Sequence, residues 1–131
     1  MVPDLQYLLD YLAIRELSVE YNRTTNRADG KAYAKVWTED GVLEIVGTGT
    51  FRGHEELARS ASQVGNSAVH MSTDWQIEID GDTARQTAVM YASRPGPDPL
   101  KGSLISTGMY TDELVRTSDG WRFKSRRFQS D

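Results

Sequence analysis

His70 is the one histidine of this chain that falls in an extended, strand-like segment, and imidazole is the side chain best suited to take up and return a proton near neutral pH. Tyr110 offers a phenol that can donate to a developing enolate oxygen while its ring walls an apolar pocket. Tyr21 offers a second phenol, on a helix; core packing explains either tyrosine equally well. Asp112 follows Tyr110 by two residues and points to the same side of its strand. Asp74 is in phase with His70, but four strand residues separate the two by about 13 Å, too far for a direct contact. It reads as a surface carboxylate. Strict alternation sets Val69, Met71, Trp75, Ile77 and Ile79 on one face and His70, Ser72, Asp74, Gln76 and Glu78 on the other. Two readings of His70 follow: a solvated histidine on the polar face, or one turned inward by a bulge where a long strand bends.

The second half of the chain must form the sheet that carries these residues. Asp80-Gly81, the loop from Pro95 to Gly102, and Asp119-Gly120 punctuate long alternating segments, and Asp-Gly is a strong hairpin signal because the favoured turn needs φ > 0. Strands are predicted over Ser67 to Ile79, Thr83 to Arg94, Ser103 to Thr117 and Gly120 to Gln129. The first third is helical. Pro3-Asp4 opens a pattern in which Leu5, Leu8, Leu9, Leu12, Leu17 and Tyr21 recur at helical spacing, so that one side should pack on the sheet, and the helix should end between Asn26 and Gly30. A short helix is expected over Lys31 to Trp37 with Tyr33, Val36 and Trp37 buried, then a turn at Thr38 to Gly41 and a strand over Val42 to Val46. A third helix, His54 to Gln63, carries Glu55 and Glu56 in its first turn and ends at Gly65-Asn66. The fold class is α+β: a curved, mainly antiparallel sheet wrapped around N-terminal helices, an arrangement that usually encloses a pocket.

Composition narrows the function. At 131 residues one domain spanning 1–131 is expected, with one site. The net charge is -4 and the basic residues are scattered except over Arg122 to Arg127, which argues against a nucleic-acid footprint. Cysteine is absent, excluding a disulfide framework, a thiolate nucleophile and Cys-ligated zinc. Glu78, Asp80 and Asp82 read as solvated hairpin charge, since no second histidine lies at ligand spacing; no metal or cofactor is expected. His54, at a helix start, reads as a neutral cap. With neither a signal-like start nor a membrane-length apolar run, the expected location is the cytoplasm. Trp37, Phe51, Trp75, Met90, Met109 and Phe123 are expected as core and pocket wall, an aromatic-rich lining suited to a flat, apolar ligand. Apolar residues on both faces of the sheet predict a homodimer through its outer face.

The order of elements, with Ile14-Arg15-Glu16-Leu17, Trp37-Thr38-Glu39-Asp40-Gly41-Val42, Phe51-Arg52-Gly53-His54-Glu55-Glu56-Leu57, Val69-His70, Ile77 to Ala84, Gly108 to Asp112 and Gly120-Trp121-Arg122-Phe123, resembles the SnoaL-like branch of the nuclear transport factor 2-like superfamily, the cone-shaped α+β barrels. The resemblance covers nearly the whole chain. It implies the cone fold and a pocket, not one reaction, because relatives range from dehydratases, isomerases and cyclases to non-catalytic subunits. In the branch resembling scytalone dehydratase and the hexachlorocyclohexane dehydrochlorinase, a strand histidine removes a proton and an aspartate at the end of the first helix orients it. His70 matches the histidine, while the aspartate slot falls on Asn26. A neutral amide can orient an imidazole but cannot stabilise its charged form. Asn26 therefore has three readings: a helix-terminal cap, an orienter or substrate donor in a modified site, or a sign of lost catalysis. The resemblance implies a cofactor-independent lyase or isomerase on a small, mainly apolar, cyclic compound, with His70 as base and Tyr21, Asn26 and Tyr110 about the oxygen; the other class is a non-catalytic ligand-binding or assembly protein.

Overall fold

The computed structural model describes residues 4–64 and 68–131, without the side chain of residue 64. Helix α1 (Leu5–Asn26) begins at Asp4, whose carboxylate accepts the Tyr7 backbone N–H at 2.8 Å, and ends where the sequence collects helix-breaking residues. Its buried stripe is Asp10, Ile14, Leu17, Ser18, Tyr21, Thr24 and Thr25. The expectation that the leucines of the first turns face the sheet is corrected: Leu5, Leu8, Leu9 and Leu12 are exposed. Asp10 sets the rotation instead. Its carboxylate takes two hydrogen bonds from Arg116, at 2.7 and 2.9 Å, and one from Trp121 Nε1 at 3.0 Å, anchoring the opposite face of the helix to the sheet.

Helix α2 (Gly30–Ala34) is shorter than expected, and strand β1 (Trp37–Ile45) begins at Trp37 and runs through the expected turn at Thr38 to Gly41. The irregular pairing of β1 with the last strand between Trp37 and Val42 lets the extended segment pass through the Gly-containing stretch. Strand β2 (Gly49–Arg52) pairs back on β1, and α3 (Gly53–Val64) follows. The expected helix end at Gly65-Asn66 and the expected strand start at Ser67 lie outside the described residues. Strands β3 (Val69–Asp80), β4 (Thr83–Arg94), β5 (Ser103–Thr117) and β6 (Gly120–Ser130) form the meander, with the two Asp-Gly turns where the sequence places them.

The sheet order is β2-β1-β6-β5-β4-β3, antiparallel throughout except for the parallel β1–β6 pair. α1 packs against β3 and β6, and α3 against β1 and β2, so the helices occupy the concave side. This is the expected α+β cone. Ile14, Trp37, Leu57, Leu114 and Phe123 form its closed core.

Curvature comes from bulges. One extra residue sits on β3 between Thr73 and Gln76, on β5 between the partners of Ala92 and Ser93, and on β6 between the partners of Glu113 and Leu114. Each extra residue bends the strand and reverses which parity of residue faces inward. On β3 the reversal occurs at Asp74, which adopts φ 52, a left-handed conformation that Asp tolerates better than most residues. Ala68 and Ser72 are buried on one side of the bulge, whereas Trp75, Ile77 and Ile79 pack toward the core on the other.

Candidate active site

The reversal at Asp74 decides the position of His70. Val69 and Met71, given to the inner face by strict alternation, are exposed, and His70 turns into the cone as a partly buried residue. It lines a cavity of about 390 Å³. Tyr21, Tyr33 and Tyr110 stand on that cavity too, with Phe51, Met90 and Phe128 among its apolar walls. None of its lining residues is Asp, Glu, Lys or Arg among the described residues.

Asn26, the last residue of α1, lies directly beside His70. Its Oδ1 accepts the His70 backbone N–H at 2.7 Å and lies 3.1 Å from ring Nδ1, and its Nδ2 donates to the His70 carbonyl at 3.1 Å. Asn26 is not merely a helix cap: its side chain joins the helix end to β3. One turn earlier Asn22 donates to Ser72 Oγ at 2.9 Å, and Ser18 bonds Gln86. The helix thus grips the inner face of the sheet at every fourth residue, which fixes His70 in place. Burial lowers the His70 pKa from its ordinary 6.5, so the neutral imidazole is the resting form at neutral pH.

The phenols gather around Tyr21, whose ring centroid is 5.1 Å from that of Tyr33 and 5.8 Å from that of Tyr110. Burial first, then the proximity of Tyr21, pushes the Tyr33 and Tyr110 hydroxyls well above their ordinary value of 10. They remain protonated at neutral pH, so each can donate a hydrogen bond. Behind them Arg126 lays its guanidinium 3.7 Å from the Tyr110 ring centroid and 4.3 Å from that of Tyr21. Arg126 Nε and Nη2 each bind Asp112 at 2.8 Å, and Gln86 adds a third bond to the same carboxylate at 2.8 Å. Arg126 Nη1 is buried without a hydrogen-bond partner, among aromatic faces that can take it as a cation–π contact.

The structure therefore brings together His70, Asn26, Tyr21, Tyr110, Phe51 and Met90. Four residues expected on the pocket wall, and Asp112 beside Tyr110, do not line the cavity. Trp37 and Phe123 are closed into the core at 2% and 0% exposure, packed on each other at 5.5 Å. Trp75 lies beyond the bulge under the Arg15 guanidinium. Met109 points outward, because Tyr110 and Gly108 hold the inner parity of β5. Asp112 faces inward but is consumed by Arg126. Conversely, Tyr33, Phe128 and Arg126 belong to the site or its support without having been singled out. Tyr33 carried a helical-burial signal only. Arg126 and Phe128 were hidden because the bulge on β6 shifts the inner parity from Trp121 and Phe123 to Arg126 and Phe128. His54 ties α3 to β1, its Nε2 lying 3.0 Å from the Trp37 carbonyl, and stands apart from the cavity. No cluster of metal-binding side chains occurs among the described residues.

A cone closed by helices, with one imidazole and three phenols lining an apolar cavity, has the nuclear transport factor 2-like fold. The chain belongs to the family of the SnoaL-like domain, whose model matches residues 6–127. It is 29% identical over 121 residues to the uncharacterized protein Rv2910c of Mycobacterium tuberculosis, covering 89% of this chain and 82% of that protein. Among solved structures it is similar to Rv3472 of Mycobacterium tuberculosis, a protein of unknown function, with TM-score 0.89 and 28% identity over 100% of this chain and 77% of that one. It also shares its fold with a type 2 hexachlorocyclohexane dehydrochlorinase, LinA, at TM-score 0.83 and 20% identity, over 98% of this chain and 90% of that one.

Proposed function

We propose that this protein is a cofactor-independent lyase or isomerase acting on a small, uncharged, mainly apolar cyclic compound held in the cone. The observation that carries this reading is the inward His70: a neutral imidazole at the wall of a charge-free cavity, on the same cavity as the phenols of Tyr21 and Tyr110. His70 removes a proton from carbon and later returns it, while a phenol donates to the oxygen on which charge develops. The hexachlorocyclohexane dehydrochlorinase that shares this fold is consistent with proton abstraction in such a cone.

Asn26 favours a second reading, a non-catalytic ligand-binding or assembly protein, because no carboxylate stabilises a charged His70. Incubating the protein with small cyclic ketones in D2O and following loss of the C–H signal by proton NMR separates the two. Exchange that is lost in His70→Gln supports the enzyme; ligand binding without exchange supports the receptor.

We further propose a cytoplasmic homodimer formed through the outer face of the sheet, where Val69, Met71, Tyr91 and Met109 are exposed. Among the described residues no helix is long and apolar enough to cross a membrane.

A further inference from the structure

We propose that the solvent-facing side of the first turns of α1 is a contact between two copies of this chain, joined antiparallel so that Leu5, Leu8, Leu9 and Leu12 of one copy pack on the same four leucines of the other.

These leucines stand at i, i+3, i+4 and i+7, the spacing of one helical face. In the fold that face is turned away from the core: Asp10, Ile14 and Leu17 are buried on the other side of the helix, and the four leucines remain 47% to 71% exposed. Together they present about 400 Å² to solvent, the size of the patch that a soluble monomer keeps for a partner. The helix cannot roll to hide them, because the buried Asp10 carboxylate is bonded to Arg116 and Trp121 on the sheet. The stripe lies on the far side of α1 from the sheet and is separate from the outer sheet face that carries Met71, Tyr91 and Met109.

Charge identifies the occupant. A twofold axis sets a patch against its own copy, so an antiparallel pair of helices brings each edge of the stripe against the same edge of the second copy. With the axis between Leu8 and Leu9, Leu5 meets Leu12 of the second copy and Leu8 meets its Leu9. Asp4 then falls about 3 Å along the helix axis from Arg15 of the second copy. Asp4 and Arg15 are about three turns apart and lie on one edge of the stripe, so the twofold makes this pair of opposite charges twice. Both are exposed, and neither has an ion-pair partner among the described residues. One Asp4 oxygen caps the Tyr7 N–H, and the Arg15 guanidinium lies 4.6 Å over the Trp75 ring, which places it without neutralising it. An anionic membrane surface fits poorly, since Asp4, Glu16 and Glu20 border the leucines. Two copies joined here bury about 800 Å² of leucine surface, less than the roughly 1,600 Å² of a standard stable interface, so the contact forms at high protein concentration.

Sedimentation velocity of the full chain over a range of concentrations reads the contact. Wild type should gain mass as concentration rises, and Leu8→Lys, at an exposed position, should lose that step. Arg15→Asp and Asp4→Lys should each weaken association about 2- to 30-fold, the loss of two exposed ion pairs. An equal mixture of these two variants should recover it, because the mixed pair joins the new lysine to the new aspartate and keeps one native Asp4–Arg15 pair; a folding defect in either variant could not be repaired in this way. A mixture that associates no better than its components overturns the proposal, as does wild type of constant mass. Association lost in Met109→Lys but kept in Leu8→Lys assigns it to the sheet face and also overturns the proposal. So does a wild type of constant mass that binds neutral lipid vesicles through Leu8, which gives the stripe to a membrane surface.

Discussion

Asp112 and Arg126 face each other across β5 and β6 with two hydrogen bonds of 2.8 Å, and neither side chain is exposed to solvent. The pair lies directly beneath the phenols of the cavity. Among the described residues each is the other's counter-charge, with Gln86 bonding Asp112 and aromatic faces lying against Arg126, so removing one member leaves the other charge buried and unpaired. Arg126→Met is expected to lower stability by about 3–5 kcal/mol, and Arg126→Met with Asp112→Leu to recover much of the loss. Urea denaturation of wild type and the two variants checks this; equal stability of the single and double variants would contradict it.

Proton transfer by a placed side chain contributes about 10²- to 10⁴-fold in rate, so His70→Ala should add about 3 to 5 kcal/mol to the barrier, with His70→Gln behaving alike and disturbing the cavity less. Steady-state kinetics on a ketone that exchanges in D2O provide the measurement. Near wild-type turnover in both folded variants would remove His70 from the chemistry.

Tyr110→Phe keeps the ring that packs on Arg126 and Phe128 and removes only the hydroxyl. Turnover should fall by about 10²-fold, the scale of one lost oxyanion donor. Stability should change by no more than about 1.5 kcal/mol. A large unfolding effect with unaltered turnover would assign the phenol to packing alone.

Two groups give acid sensitivity in separate windows. His70 has a lowered pKa because burial disfavours its charged form. The unfolded chain therefore takes up that proton first, and the stability held by neutral His70, fully present above about 6.5, is lost as pH falls below it. The acidic limb of kcat/KM should lie below that value for the same reason. Asp10 is held far below the ordinary carboxylate value of 3.8, chiefly by its hydrogen bonds from Arg116, so its contribution is present above that value and disappears only in stronger acid. Stability against pH should fall in two steps, with Asp10→Asn removing the lower step and His70→Gln the upper. A single step unaffected by either substitution would contradict the assignment.

Asp74 holds the bulge at φ 52. A β-branched residue is strained in that conformation, so Asp74→Val should cost about 1–2 kcal/mol and loosen His70, whereas Asp74→Gly should be tolerated. Thermal unfolding and the His70 ring signals report on both. An Asp74→Val protein as stable as wild type would show that the bulge can relocate.

Much of the architecture was written locally. The Asp4 cap, the breakers after Asn26 and the Asp-Gly turns at residues 80–81 and 119–120 depend on neighbouring residues and on which backbone angles each side chain allows, so the elements and their α+β order could be read along the chain. The types of residue that carry the chemistry, His70, Tyr21 and Tyr110, were also legible, because acid–base and donor capacity belong to the side chain itself.

Direction was not legible. Period-two alternation assumes an unbroken strand, and a single extra residue at Asp74 or opposite Glu113 exchanges inside for outside over everything beyond it. That is why His70 lies in the cavity against strict alternation, and why Arg126 and Phe128 went unmarked among the basic residues of the last strand. The facing of α1 was likewise decided at a distance: the buried Asp10 carboxylate, bonded to Trp121 and to the partly exposed Arg116, 106 residues away, turns inward the face opposite the four leucines. The sequence by itself determined which elements form and which side chains can move a proton. Only the tertiary structure, through bulges and long-range charge pairing, decided which of them meet.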